Sequence, residues 1–204
     1  MRNSLIVVVA ALALAAAACG DSAEKDDSED STTTTAAAVA SELDQFLVRA
    51  NEVPGLSPAG EPGRLPSLIA YDAAFNLSDA DEQRLKANGF QSSVEVRLEG
   101  ESSDGLSSVD LYATADGAAA ELAYIVGNKQ ATKPVEVTNL TQFAIPGVPT
   151  AVGWTFDKPN GDRTADVHWT QGRCLLTLGQ QPVAIDDLRA GVKALFDRTG
   201  GKCP

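Results

Sequence analysis

The sequence is poor in the side chains that most often carry chemistry. It has one histidine, His168, and three cysteines, so we expect neither a zinc nor a copper site. It contains no Gly-x-Ser-x-Gly motif and no glycine-rich phosphate loop. Acidic residues outnumber basic ones, and the net charge of −12 argues against nucleic acid as a partner. We therefore expect a protein that is not an enzyme and that uses no cofactor or metal.

Long hydrophobic runs are also scarce, since the single one is confined to Leu5–Ala18. It is shorter than the roughly 20 residues that span a bilayer and matches the apolar region of a secretory signal. Arg2 precedes the run, and small residues lead into Cys19-Gly20. This segment resembles a bacterial lipoprotein signal peptide. The resemblance implies removal of residues 1–18, lipid such as palmitate on Cys19, and anchoring at the outer face of the cytoplasmic membrane. Ala16-x-Ala18 also fits ordinary secretory cleavage, which remains the alternative.

The cysteine count bears on this choice, because an odd number is unusual in an exported protein. If Cys19 carries lipid, Cys174 and Cys203 remain as a pair. A strand over residues 173–180 is ~26 Å long, and a returning helix of ~16 residues covers ~24 Å. That return would bring Cys203 beside Cys174. We predict a Cys174–Cys203 disulfide.

Residues 19–36 have the composition of a tether. They hold six acidic residues against Lys25 alone, followed by a Ser/Thr run that ends at Thr35. Such a segment cannot bury apolar area, so we expect a disordered spacer, with O-glycosylation of the Ser/Thr run as the alternative. Residues 37–204 are enough for one domain with its own core.

The N-terminal half of this domain shows mixed patterns. Apolar spacing predicts a helix over residues 37–51, and a Pro/Gly-rich irregular crossing follows over residues 54–66. Residues 68–75 are ambiguous between strand and loop. Ser78 is a helix N-cap candidate with Gly89 as the stop. Alternation then predicts a hairpin turning at Asp104-Gly105, a helix after it, and a strand over residues 135–143.

Turn residues predict two hairpins in the C-terminal third. Asn160-Gly161 is typical of a two-residue type I′ turn, which would pair Phe156 with Ala165, Trp154 with Val167 and Val152 with Trp169. A second turn at Gln171-Gly172 would place Trp169 beside Cys174, Val167 beside Leu176 and Ala165 beside Leu178. Both tryptophans then share a buried face.

A final helix should cover that face, because apolar residues recur with helical spacing between Ile185 and Phe196. In this register His168 lies on the opposite face, near Gly153 and Leu175, as a surface or packing residue. The acidic residues from Asp157 to Asp166 are close enough to suggest calcium. They lack EF-hand spacing, so we interpret the segment as a hairpin turn.

Several segments together resemble those of uncharacterised actinobacterial cell-envelope lipoproteins. The resemblance is carried by Gly89-Phe90, Ser107 to Thr114, Ile145-Pro-Gly-Val-Pro149, and Trp169 to Gly179. It implies an α+β domain with a mostly antiparallel sheet and packed helices, comparable in architecture to the Mog/PsbP class. The expected function is a non-enzymatic binding or interaction domain that contacts an envelope protein. Carriage of an apolar ligand such as a lipid or glycolipid, and an envelope hydrolase, remain alternatives.

Overall fold

Seven antiparallel strands form the centre of the molecule, with helices on both faces of the sheet. The computed structural model describes residues 42–131 and 138–203, with the backbone alone for residues 130 and 131. The predicted α+β fold is confirmed. Cys19, the predicted signal peptide and the predicted tether lie outside the described residues. No helix in the described ranges has the length and apolar character needed to cross a membrane.

The sheet consists of two antiparallel meanders, the first three strands and the last four, which are joined so that the third strand pairs with the seventh. The strands are β1 (Ser57–Leu65), β2 (Phe90–Glu99), β3 (Asp104–Tyr112), β4 (Thr138–Ala144), β5 (Val152–Asp157), β6 (Arg163–Gln171) and β7 (Cys174–Gln181). Their order across the sheet is β1-β2-β3-β7-β6-β5-β4. The helices are a 3₁₀ turn (Leu43–Phe46), α1 (Leu68–Phe75), α2 (Asp79–Ala87), α3 (Ala115–Ala131) and α4 (Ile185–Thr199).

One face of the sheet, here called the α4 face, carries the main core. It presents the apolar side chains that the sequence assigned to one face of the last two strands, namely Ala165, Val167, Trp169, Cys174, Leu176 and Leu178. The α4 stripe covers them through Leu188, Val192 and Leu195, as predicted. Gly191 lets this helix approach closely, because a Cβ there would lie 2.4 Å from Cγ2 of Val53.

A disulfide joins Cys174 to Cys203 in the structure, with a Cα–Cα distance of 5.8 Å. The returning helix brings the two residues together, since α4 packs along β6 and β7 and ends at Gly200 in a left-handed conformation. The bond therefore fastens the end of α4 to the start of β7.

The β5–β6 hairpin differs from its predicted register by one residue. A two-residue turn centred on Asn160 and Gly161 would make Pro159 and Asp162 the closing pair, but Pro159 has no N–H to donate. Instead the Lys158 N–H donates to the Asp162 carbonyl at 2.9 Å. The loop gains a residue, and Gly161 alone supplies the positive φ, 88°.

This shift by one residue moves β5 side chains to the other side of the sheet. Trp154 lies opposite Asp166 and not Val167, so the prediction that both tryptophans share a face is wrong. His168 accordingly shares a face with Trp154, at 5.8 Å between ring centroids, and pairs with Val152 and Thr177 rather than lying near Gly153 and Leu175.

The β6–β7 turn is also displaced, but without changing faces. Gln171 pairs with Cys174, so the turn residues are Gly172 and Arg173, and Gly172 takes the positive φ that the first turn position requires. The predicted pairs are wrong by two residues, and Trp169 lies opposite Leu176. Because side chains alternate with a period of two, the predicted buried face is retained.

Three N-terminal predictions need correction. Within the described part of residues 37–51 the helix is a single 3₁₀ turn, after which Leu47 is extended and the Val48 N–H donates to Ser107 Oγ at 3.1 Å. The supposed irregular crossing contains edge strand β1, where Pro58 and Pro62 are tolerated because an edge leaves N–H groups unpaired. Residues 68–75 form a helix.

Two N-terminal caps explain the short helices. Ser67 Oγ accepts from the Ala70 N–H at 3.2 Å and starts α1, whose end is marked by Asn76 at φ 51°. Ser78 accepts from the Asp81 N–H at 3.2 Å and starts α2, as predicted. The predicted strand over residues 135–143 is present as β4 from residue 138, and its start lies outside the described residues.

Candidate functional site

The sheet face opposite α4, here called the polar face, carries charged and polar side chains beneath α1, α2 and α3. Register places Glu95 on β2, Asp110 on β3, Thr177 on β7, and His168 with Asp166 on β6 along this face. Each of these strands buries apolar residues on the α4 face. The polar residues occupy the positions in between, which point to the other face. Candidate functional groups of the fold therefore concentrate here.

The first cluster joins α3 to β6. Lys129 Nζ lies 2.7 Å from Asp166 Oδ2, 4.6 Å from the centre of the Phe156 ring and 5.9 Å from that of Trp154. His168 Nε2 lies 3.6 Å from the same Asp166 oxygen. Burial opposes ionisation of Asp166, but the His168 ring and Lys129 outweigh it and lower the pKa of this carboxyl. Asp166 is thus a stable anion that holds the C-terminal half of α3.

His168 also meets a hydroxyl, because its Nδ1 lies 3.0 Å from Thr177 Oγ1. Asp166, His168 and Thr177 therefore form a chain of carboxylate, imidazole and hydroxyl, which is the order of groups in a hydrolytic triad. The surroundings do not complete such a site. β6 and β7 are interior strands whose backbone N–H groups are committed to the sheet, so they offer no oxyanion hole. We interpret the arrangement as a clamp between α3 and the sheet.

The second cluster joins α2 to α3. Glu121, only 4% exposed, accepts from Arg84 Nε at 3.1 Å and from Asn88 Nδ2 at 3.0 Å. Arg84 also pairs with Asp81, and its guanidinium lies 3.7 Å from the centre of the Tyr124 ring. The Arg84 charge is thus shared between two carboxylates, and the two helices are held as one layer.

The third cluster centres on Asp110, in the middle of β3. Asp110 pairs with Ser93 across β2 and with Leu175 across β7. Burial raises the pKa of Asp110 to about 7, and the carboxylates of Glu121 and Glu95 add to this, whereas a hydrogen bond from Ser93 opposes it. Burial likewise raises the pKa of Glu95. Burial and the neighbouring carboxylates therefore favour the neutral form of Asp110.

Tyrosines border this cluster. Tyr112 is fully buried, and its hydroxyl has no hydrogen-bond partner among the described residues. Burial raises the pKa of both Tyr112 and Tyr71, and the charge of Asp110 adds to each rise. The rings of Phe75, Tyr71, Phe90 and Tyr112 follow one another at centroid distances of 4.6, 4.8 and 5.8 Å. This row connects the buried Asp110 region to the surface of α1.

Helix α1 is apolar on nearly every side, yet none of its residues is fully buried. Ile69 is 82% exposed and Phe75 is 49% exposed. A helix that is apolar all round is ordinarily buried, so one at the surface suggests an interaction face. Ile69, Ala73, Ala74 and Phe75, all exposed, are here called the α1 surface.

Two open grooves also lie on the surface of the described residues. One, of about 490 Å³, lies between the Ile145-Pro146 corner and α4 and is lined by Ile145, Pro146, Arg189, Ala190, Lys193, Ala194 and Asp197. The other, of about 420 Å³, is polar and lies at the β2–β3 hairpin between Arg97 and Gln181. Neither groove adjoins the α1 surface in sequence or shares a lining residue with it.

The candidate calcium segment is a closed hairpin loop. Asn160 Nδ2 donates to Asp162 Oδ2 at 2.6 Å, and Gln181 Nε2 donates to the same oxygen at 2.8 Å. Asp157 pairs with Arg163 at 3.1 Å. No group of three or more metal-binding side chains occurs within residues 42–131 and 138–203. These contacts agree with the interpretation of a turn.

Sequence reasoning missed both the α1 surface and Asp110. The signal for the first was the run Leu68–Phe75, which is too apolar for an exposed loop. Asp110 alternates with Val109 and Leu111, which is the pattern of a strand whose acidic side faces water. Its partial burial depends on how the helical layer docks on the sheet, with α3 on β3 and the short helices α1 and α2 on β2, and the strand pattern alone does not show this docking.

Comparison with known proteins supports the fold. No protein-family model matches the chain, and no curated protein matches it. The extracellular domain of PknH from Mycobacterium tuberculosis is similar in structure, with a TM-score of 0.55 and 14% identity over 79% of this chain and 96% of that domain. An uncharacterised protein from Mycobacterium smegmatis aligns with a TM-score of 0.40 and 9% identity over 80% of this chain and 95% of that one.

Proposed function

We propose that this chain is a lipid-anchored, non-enzymatic binding domain of the bacterial cell envelope that contacts a protein partner through the α1 surface. The observation that carries the contact is the exposure of Ile69 and Phe75 on a helix with no fully buried residue. The envelope location is supported by the apolar N-terminal run, the Cys174–Cys203 disulfide, and a fold shared with a domain described as extracellular.

The anchor is tested at Cys19. Cells expressing the wild-type chain and the Cys19→Ser variant are given radioactive palmitate, and label is expected in the wild type alone, because the thiol is the attachment atom. Mass spectrometry of the mature N-terminus checks for cleavage before residue 19. Equal label in both chains, or cleavage without lipid, would contradict anchoring and leave the ordinary secretory alternative.

The chemistry of the partner follows from the charges next to the α1 surface. The first turn of α2, which begins four residues after α1 ends, exposes Asp79 and Glu82. A partner surface with apolar side chains at its centre and lysine or arginine at its edge would match this arrangement. The apolar contact would supply affinity, and the charges would orient the partner.

The contact is tested by photo-crosslinking in cells. A benzophenone amino acid at residue 69 is expected to give a discrete protein adduct, whereas the same group at Leu106, a matched exposed apolar position on β3, is not. Adding Phe75→Ser should lower the adduct yield about tenfold, because a central aromatic anchor commonly contributes more than 1.4 kcal/mol. Adducts of equal yield from both positions, or insensitivity to Phe75→Ser, would refute the α1 surface as the interface.

A second candidate is carriage of an apolar ligand, which the groove beside α4 favours. It is lined by apolar Ile145, Pro146 and Ala194 and by the cations Arg189 and Lys193, of which Lys193 pairs with Asp197. An acyl chain with an anionic headgroup would match these groups. Native mass spectrometry of protein extracted from envelopes separates the candidates, since a carrier should retain a defined amphiphile and a protein-binding domain should not.

A further inference from the structure

One carboxylate oxygen, Asp166 Oδ2, lies next to two basic side chains. It is 2.7 Å from Nζ of Lys129 on α3 and 3.6 Å from Nε2 of His168, two residues further along β6. The longer distance is beyond a hydrogen bond, and His168 Nε2 has no such partner among the described residues. Lys129 therefore holds this oxygen, and a positive charge on His168 would compete with Lys129 for it.

The other neighbours of His168 are neutral. Its Nδ1 lies 3.0 Å from Thr177 Oγ1 on β7, and its ring centroid lies 5.8 Å from that of Trp154 on β5. Among the described side chains, the charged groups in contact with this cluster are Asp166 of β6 and Lys129 of α3. The His168 side chain is only 12% exposed, so solvent would screen an added charge weakly.

Asp166 stays ionised in the pH range where histidine titrates. Burial opposes its ionisation, but the contacts with His168 and Lys129 outweigh burial and hold the pKa of this carboxyl below its ordinary value of 3.8. Histidine is the side chain that ordinarily changes charge between pH 5 and 8. Acidification through that range therefore adds one positive charge beside a balanced pair of Lys129 and Asp166.

The C-terminal half of α3 depends on this pair more than the N-terminal half does. The N-terminal half is held by buried Ala118 and by buried Glu121, which binds Arg84 of α2. None of the side chains of residues 122–129 is fully buried. Gly127 weakens this segment further, because a Cβ there would have open space around it, and glycine destabilises a helix interior relative to alanine.

We propose that His168 is a pH-responsive release for the C-terminal half of α3. Its protonation draws Asp166 away from Lys129, so that residues 122–129 separate more often from the sheet. Lys129 Nζ lies 5.9 Å from the centre of the Trp154 ring, and Trp154 is only 1% exposed. Acidic surroundings therefore increase access to Trp154. The release does not involve the α1 surface and stands apart from the proposed function.

The expected direction follows from proton linkage. In the closed state a protonated His168 shares Asp166 with Lys129, whereas in the open state Lys129 has moved away and the carboxylate serves His168 alone. The open state therefore binds the proton more tightly, and opening becomes more favourable as pH falls. A difference in proton affinity of about one pH unit changes the opening equilibrium about tenfold across the titration of His168.

The experiment is amide hydrogen exchange on the purified chain without an affinity tag, from pH 8 to 5, corrected for the intrinsic rate at each pH. The protection of residues 122–129 is expected to fall about tenfold as pH falls, whereas residues 118–121 keep theirs. The chain has one histidine, so the ring-proton NMR signals report the charge of His168 in the same samples.

Two variants separate this release from a general effect of acid. His168→Asn keeps a polar side chain beside Thr177 but cannot become charged, so the pH dependence of the segment should disappear. Lys193→Met breaks the matched lysine–aspartate pair with Asp197 on α4 and should retain the pH dependence.

A third variant keeps the test valid if His168→Asn does not fold. Lys129→Met removes the competing cation, so His168 should take up its proton at higher pH than in the wild type. Equal protection of residues 122–129 at pH 5 and pH 8 in the wild type would overturn the release. The same pH dependence in His168→Asn, or an unchanged His168 titration in Lys129→Met, would also overturn it.

Discussion

Replacing both Cys174 and Cys203 by alanine is expected to lower the free energy of unfolding by about 3–4 kcal/mol. The two residues are 29 positions apart, and the bond between them restricts the unfolded chain. Alanine is the appropriate replacement because Cys174 is fully buried in the main core, where serine would add an unpaired hydroxyl. Chemical denaturation at neutral pH measures the change through the transition midpoint.

The reductant dependence of the same measurement provides the control. The wild type should lose a comparable amount of stability when its disulfide is reduced, whereas the double variant should not respond to reductant. An unchanged midpoint in the variant would mean that α4 is held in place by its apolar stripe alone. Single variants are less informative, because each leaves a free thiol.

The unit formed by β6, β7 and α4 could be predicted from the sequence because its signals are local and agree with one another. Apolar and polar residues alternate along β6 and β7, and the apolar stripe of the helix consists of Leu188, Val192 and Leu195. Both patterns indicate the same buried face. A displaced turn did not disturb it, since a slip of two residues keeps side chains on their side of the sheet.

The predicted register of β5 was wrong, and the reason is also local. Asn160-Gly161 is a strong hairpin signal, but Pro159 cannot close a two-residue turn, and the loop gains one residue. That single residue carries Trp154 from the α4 face to the polar face. Attention to the residue before the turn would have found the correct pairing.

The candidate site could not be predicted, because it depends on contacts between distant segments. Asp110 is half-buried beneath the helical layer, in which α3 packs on β3, and the docking of this layer relies on pairs such as Arg84 with Glu121, 37 residues apart. Helix α1 itself has only eight residues, fewer than an isolated helix needs for stability. Its structure comes from the sheet on which it lies.

Replacing Asp110 by asparagine is expected to make the protein more stable at pH 8 than the wild type by about 2–4 kcal/mol, relative to their difference at pH 4. The pKa of this carboxyl is about 7 in the folded state, against an ordinary value of 3.8. Well below pH 3.8 both the folded and the unfolded wild type hold the proton, and at pH 4 the unfolded chain has only begun to release it, so most of the contribution of Asp110 is still present. As pH rises towards 7 the unfolded chain releases it and the folded chain does not, so stability is lost. Asparagine has no proton to release, so its stability should not change with pH through this group. The shift in pKa corresponds to about 4 kcal/mol for a fully buried group, and the partial exposure of Asp110 lowers this value.

Urea denaturation at half-unit intervals from pH 4 to 8 tests this expectation, with Asp104→Asn as the matched control on the same strand. The decisive quantity is the slope of unfolding free energy against pH between 4 and 7, which Asp110→Asn should reduce and Asp104→Asn should not. If the slope of unfolding free energy against pH were the same in the wild type and in Asp110→Asn, the carboxyl would titrate as it does in the unfolded chain. Asp110 would then be an ordinary solvated residue. The pH dependence of global stability therefore tests whether the folded chain suppresses the ionisation of this half-buried acid.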